Sequence, residues 1–125
     1  MDSALKEQEI PLQITFHELE SSDAIETFVH ERTQKLLHFY DRITACRVVI
    51  ESPHRHSNKE RKLFHIRVEL GVPGQELVVS HEPGEHEKHE DIHTAIRDAF
   101  GAMERQLKEF ARKQRGEVKT RPAEV

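Results

Sequence analysis

An α+β fold in the order β-α-β-β-β-α is predicted by three features of this 125-residue sequence. Four segments alternate apolar and polar residues with period two. Two longer segments carry apolar residues at helical spacing, and turn-forming or strongly polar runs separate the pieces. The economical packing for that order is one four-stranded sheet with both helices on one face. Because a helix lies between the first two strands, they are expected to be parallel and joined by a right-handed crossover. The length suits one domain, expected at residues 11–115, between a disordered segment at 1–10 and a flexible tail at 116–125.

Each element has its own signature. Leu12, Ile14 and Phe16 alternate with Gln13 and Thr15 and mark a half-buried first strand. Ser21-Ser22-Asp23 is a helix start, and Glu26, three residues after Asp23, completes a capping-box pattern. Ile25, Phe28, Val29, Leu36 and Tyr40 then predict an amphipathic helix over 23–40, with Arg32 and Lys35 at its polar side or boundary. A turn follows at Asp41-Arg42. Cys46, Val48 and Ile50 give the second strand, which Pro53 ends ahead of a basic loop at 53–61. The third is the clearest, with Phe64, Ile66, Val68 and Leu70 against His65, Arg67 and Glu69. Val72-Pro73-Gly74-Gln75 is a hairpin turn, and Leu77 to Ser80 is the returning strand. An acidic, histidine-rich loop occupies 81–90. Asp91 caps the final helix, whose apolar stripe of Ile92, Ala95, Ile96, Ala99, Phe100, Met103, Leu107 and Phe110 carries it to about 114. Gly116 is the expected stop.

The net charge of −4 conceals segregation. Residues 1–31 hold eight acids and one base, whereas 32–67 hold nine bases and three acids. Residues 68–91 return to seven acids and one base, and 105–125 carry seven bases and three acids. A polyanion is a candidate ligand if folding gathers the basic blocks on one face. Arg97, Arg105, Lys108, Arg112, Lys113 and Arg115 lie along the last helix, and Arg32 and Lys35 lie on the first. The competing reading is a set of ordinary solvated charges. Phe100 and Phe110 belong to the core stripe, so aromatics do not interleave with these bases. Any nucleic-acid contact is therefore expected at backbone and shape rather than by base stacking.

Catalytic chemistry finds no foothold. There is no phosphate-cradling glycine loop, no nucleophile elbow and no paired-carboxylate setting. His89-Glu90-Asp91-Ile92-His93 spells HExxH, but zinc chemistry needs both histidines inside one helix, and Asp91 stands where that helix begins. His81, His86, His89 and His93 read as a solvated polar set rather than a physiological metal site. His54 and His56, beside Arg55 and Lys59, are weaker phosphate candidates. Cys46 falls on the core face and reads as a buried structural thiol. No apolar run reaches membrane-spanning length and no leader follows Met1, so the expectation is cytoplasmic. The chain is expected to be no enzyme and to need no cofactor, metal or small-molecule substrate.

Phe39-Tyr40-Asp41-Arg42-Ile43 after a capped helix, and Lys88-His89-Glu90-Asp91-Ile92-His93-Thr94-Ala95-Ile96 leading into Glu104-Arg105-Gln106-Leu107, resemble the ribosome hibernation factors. That family includes hibernation promoting factor and ribosome-associated inhibitor A, and this chain looks like a short form. The likeness covers about residues 11–115 and explains HExxH as an accident of a helix cap. It implies a fold akin to double-stranded-RNA-binding domains and a partner in the small ribosomal subunit and its rRNA. Binding there would fill the channel used by messenger RNA and by A- and P-site transfer RNA, blocking translation under stress by occlusion. By position, Arg32, Lys35, Arg105 and Lys113 match basic residues of the family and would contact rRNA phosphates. Lys108 and Arg112 join them on local charge. His38, Ala102 and Glu109 stand where relatives often carry lysine, and His93 where tyrosine is usual. Those departures imply weaker ribosome binding than in lysine-rich relatives, and the alternative is a protein-interaction module on the same fold.

Overall fold

The computed structural model describes residues 10–52, 63–82 and 91–120. The readings made for residues 1–9, the loop at 53–61, residues 83–90 and the last five residues lie outside the described residues. The elements are β1 (Leu12–His17), α1 (Asp23–Phe39), β2 (Ala45–Glu51), β3 (His65–Val72), β4 (Gln75–His81) and α2 (Ile92–Thr120). The strands form one sheet in the order β1-β2-β3-β4. β1 runs parallel to β2, while β2–β3 and β3–β4 are antiparallel.

Register puts the apolar half of every strand on one side. Leu12, Ile14 and Phe16 stand opposite Cys46, Val48 and Ile50. Cys46, Val48 and Ile50 in turn face Leu70, Val68 and Ile66. The buried side chains of β2 and β3 meet those of both helices in one core, including Val29, Leu36 and Leu37 of α1 and Ile96, Phe100, Met103 and Leu107 of α2. Arg47 and Arg67 stay exposed on the opposite sheet face, so both helices cover the same side. Within the core, Thr33 of α1 donates its hydroxyl to the Val29 carbonyl at 2.9 Å and lies 4.0 Å from the Cys46 sulfur.

Two turns carry the local chemistry expected of them. Pro73-Gly74 closes the β3–β4 hairpin, with Gly74 at φ +84°, a value that glycine adopts without a Cβ penalty. Ser22, extended at φ −145°, caps α1 by accepting the Ile25 amide on its hydroxyl. The cap is therefore one residue earlier than a box closing from Asp23 to Glu26 requires. Glu26 instead gives its backbone N–H to the Ser22 carbonyl, the ordinary first bond of the helix.

The final helix departs from expectation at its far end. It runs through Gly116 to Thr120 instead of stopping there. A lone glycine costs about 1 kcal/mol relative to alanine inside a helix, too little to end one flanked by good helix formers. At the near end Asp91 accepts the Thr94 amide on its carboxylate at 3.1 Å, so the helix opens where its cap was read.

Candidate nucleic-acid interface

The two helices lie side by side and run the same way. Phe28, early in α1, meets His93 at the start of α2, with ring centroids 4.9 Å apart. At the other end Phe39 lies under Lys108, and Tyr40 packs edge-on against Phe110 at 5.6 Å. Phe28, Arg32, Lys35 and Phe39 are spaced i, i+4, i+7 and i+11, so all four share the α1 flank that faces α2. Two expected cations thus stand between two aromatic contacts along an inter-helix groove.

On α2 position 105 follows 97 by eight residues and 108, 112 and 115 follow at three- and four-residue steps, so the five form one stripe opposite the core. Arg97, Arg105, Lys108, Arg112 and Arg115 are all exposed. Lys113 is exposed too but belongs elsewhere. It follows Gln106 by seven residues, and the Gln106 side chain donates to the Val78 carbonyl on β4 at 3.2 Å. Lys113 therefore sits on the β4 flank, away from α1. Five of the six expected residues (Arg32, Lys35, Arg105, Lys108 and Arg112) converge on the outer helical surface, and the sixth does not join them.

Acids temper this surface. Lys108 pairs with Glu104 at 3.1 Å, one helical turn before it. Arg112 grips Glu109 through both Nε and Nη2, and that grip holds the Glu109 carboxyl below the usual range. Lys35 and Arg105 hold no ion pair among the described residues. Arg32 is half-buried, and its Nε is fully shielded from solvent with no hydrogen-bond partner among the described residues. An orphaned buried N–H is rare in folded proteins and carries a desolvation cost.

The basic block at 32–67 is split by the sheet. Arg47 and Arg67 occupy the face away from the helices, where they clamp Glu69 between them at 3.0 and 2.7 Å. The hydrogen bond from Arg67, with help from Arg47, holds the Glu69 carboxyl below its ordinary value. Arg47 and Arg67 are thus compensated locally on the sheet face, whereas Lys35 and Arg105 of the helix layer have no ion pair among the described residues.

The other sequence candidates separate cleanly. Cys46 is buried, and desolvation pushes its thiol up to about 11, so it is no nucleophile. His81 ends β4 and His93 lies in α2, whereas His86, His89, His54 and His56 lie outside the described residues. Among the described residues, no three His, Cys, Asp or Glu side chains gather as metal ligands do. No helix among them is long and apolar enough to cross a membrane.

One expectation about aromatics needs correction. Phe100 and Phe110 are buried as read, but Phe39 is 40% exposed at the rim of the groove, with the Lys108 ammonium 4.5 Å from its ring centroid. An aromatic does interleave with the bases. The signal was present in the spacing of Phe39 from Arg32 and Lys35, but only the position of α2 shows which residues share that side.

Comparison with known proteins fits this geometry. The profile of the Sigma 54 modulation protein / S30EA ribosomal protein family matches residues 12–115. The chain is 30% identical over 103 residues to a ribosome hibernation promoting factor of Azotobacter vinelandii, covering 82% of this chain and 84% of the relative. It is also 30% identical over 113 residues to a ribosome hibernation promotion factor of Deinococcus radiodurans, covering 88% of this chain and 55% of that longer relative. Among solved structures, the Protein Y N-terminal domain of Thermus thermophilus superposes with a TM-score of 0.63 at 22% identity, over 81% of this chain and 99% of that one. A ribosomal subunit interface protein from Coxiella burnetii gives 0.64 at 16% identity, over 82% and 98%. These two likenesses show the shared fold. With its profile matched across the whole sheet-and-helix domain and two hibernation factors among its relatives, the chain belongs to the Sigma 54 modulation protein / S30EA ribosomal protein family, the family of ribosome hibernation factors.

Proposed function

We propose that this protein silences translation under stress by binding the small ribosomal subunit in the channel that messenger RNA and the A- and P-site transfer RNAs use. The observation that carries the reading is the cationic outer surface of the helix layer. It comprises Arg105, Lys108 and Arg112 on the α2 stripe, and Arg32 and Lys35 in the adjoining groove. Guanidinium and ammonium groups held on rigid helices suit rRNA phosphates, which position a protein without reading sequence. Inhibition then follows from occupancy: a domain lodged in the channel excludes the other ligands, and no bond need be made or broken. Lys113, on the β4 flank, contributes to a neighbouring part of the rRNA surface or to none.

The test is co-sedimentation with separated ribosomal subunits across a salt series. Binding to the small subunit should weaken with salt, with a log–log slope of about 0.7–0.9 per phosphate contact. Messenger RNA and transfer RNA should compete for it. Arg105→Glu should abolish association while leaving the melting temperature unchanged, because Arg105 points away from the core. Absence of binding at low salt would overturn the proposal. The paired acids Glu104 and Glu109 favour a second reading, a protein-interaction module, and capture of a protein partner without rRNA would select it.

A further inference from the structure

Phe39 is the one large hydrophobic side chain exposed among the described residues. Its neighbour Tyr40 turns inward against Phe110, with the two rings nearly perpendicular at 87°. That contact anchors the end of α1 and fixes where Phe39 stands. The Lys108 ammonium lies over the phenyl ring, 4.5 Å from its centroid, while also 3.1 Å from Glu104. Lys35 is one turn back on the same stripe. A surface that met phosphates by charge alone would have no use for a presented phenyl ring. A nucleotide has use for both parts, because its base offers a π face and its phosphate an anion a few ångströms away.

We propose that Phe39 and Lys108 form a nucleotide site, in which an unpaired base stacks on the Phe39 ring while Lys108 swings from the ring and Glu104 onto the adjoining phosphate. The proposal rests on the ribosome-binding reading and deepens it. Recognition is then not by backbone and shape alone: the bound RNA must offer an unstacked base at this end of the groove. The site does not choose among bases, since every base has a π face.

The experiment compares the unaltered chain with Phe39→Leu and Phe39→Trp for binding to purified small subunits across a salt series. Phe39→Leu keeps apolar bulk at an exposed position and removes the ring. It should weaken binding by about fivefold to a hundredfold, the range that base–aromatic stacking supports, with an unchanged salt slope because no charge is lost. Phe39→Trp should bind at least as tightly. It also places the sole indole in a chain that has no tryptophan, and its emission should be quenched when subunits are added. Lys108→Ala should weaken binding and flatten the salt slope by about one phosphate contact. Unaltered affinity in Phe39→Leu, or an unquenched indole, would overturn the nucleotide site while the ribosome-binding reading stands. Failure of the unaltered chain to bind overturns both. Circular dichroism and thermal melting of each variant separate lost stacking from lost fold.

Discussion

Arg32 offers a test in which stability and binding move in opposite directions. Its Nε is buried with no hydrogen-bond partner among the described residues, and a buried donor left unpaired costs about 1–3 kcal/mol. Arg32→Met retains the length and apolar stem that pack in the groove but removes the orphaned group. Allowing for imperfect packing of the thioether, the free protein should gain about 1 kcal/mol. For a domain of this size that raises the melting temperature by about 4 °C. On the proposed function, binding should fall as stability rises, because one cation leaves the surface that would meet rRNA. The salt slope should drop by about 0.7–0.9, and affinity at moderate salt by about tenfold or more. Differential scanning calorimetry and subunit co-sedimentation on one preparation measure both. A lower melting temperature for Arg32→Met would refute the reasoning, since it would mean that the guanidinium is held by a favourable interaction and is not a burden kept for function.

Three further outcomes follow from the same geometry. Glu104→Gln/Glu109→Gln releases Lys108 and Arg112 from their intrahelical partners. Subunit binding should tighten and its salt slope steepen, with the melting temperature unchanged or slightly lower; equal or weaker binding would show that the acids do not restrain the bases. Glu69, with its carboxyl lowered by the Arg67 and Arg47 contacts, contributes stability that is present above the ordinary carboxylate value of 4.5 and lost as pH falls through the folded value. Chemical denaturation of Glu69→Gln should show a loss of about 0.5–1 kcal/mol at pH 7, vanishing in strong acid, and a constant difference across that range would contradict the assignment. The Cys46 thiol, raised from 9.0 to about 11, stays protonated in the folded state. Thiol reagents at pH 8 should therefore modify it only at the rate of unfolding. Since the unfolded thiol ionises first, stability should decline as pH rises between those two values, and immediate labelling of the native protein would contradict the burial argument.

Local chemistry made the element order legible, and tertiary placement hid most of the site. The β3 alternation, the Pro73-Gly74 turn and the Asp91 cap each follow from a rule that acts within a few residues. The misplaced cap at α1 shows the limit of such rules. Ser22 and Asp23 are both competent caps, and only the extended backbone of Ser22 decides between them. The stop expected at Gly116 failed because glycine weakens a helix without forbidding it. The basic residues of α2 were visible as a set, but a list of charges carries no direction. Lys113 parted from the others once Gln106 was tied to Val78, and Arg47 and Arg67 went to the far side of the sheet through strand alternation. Phe39 was the least legible. The role proposed for it depends on Lys108, a residue 69 positions away in sequence and brought near by two helices running in parallel.

That placement bears on how a chain with a net charge of −4 could attract a polyanion, as the proposed function requires. Within about a Debye length of the surface, attraction depends on where charge is concentrated as well as on its sum. On the sheet face Arg47 and Arg67 spend their charge on Glu69, so that side offers a polyanion little. The helix layer leaves Lys35 and Arg105 without an ion pair among the described residues and holds Lys108 and Arg112 in exposed pairs, which are weak enough to exchange a carboxylate for a phosphate. Under the proposed function, the helices are the side that would meet RNA and the sheet face the side that would not. On the function proposed above, such a surface would compete for rRNA phosphates and let go as ionic strength rises, which is what reversible silencing of a ribosome requires.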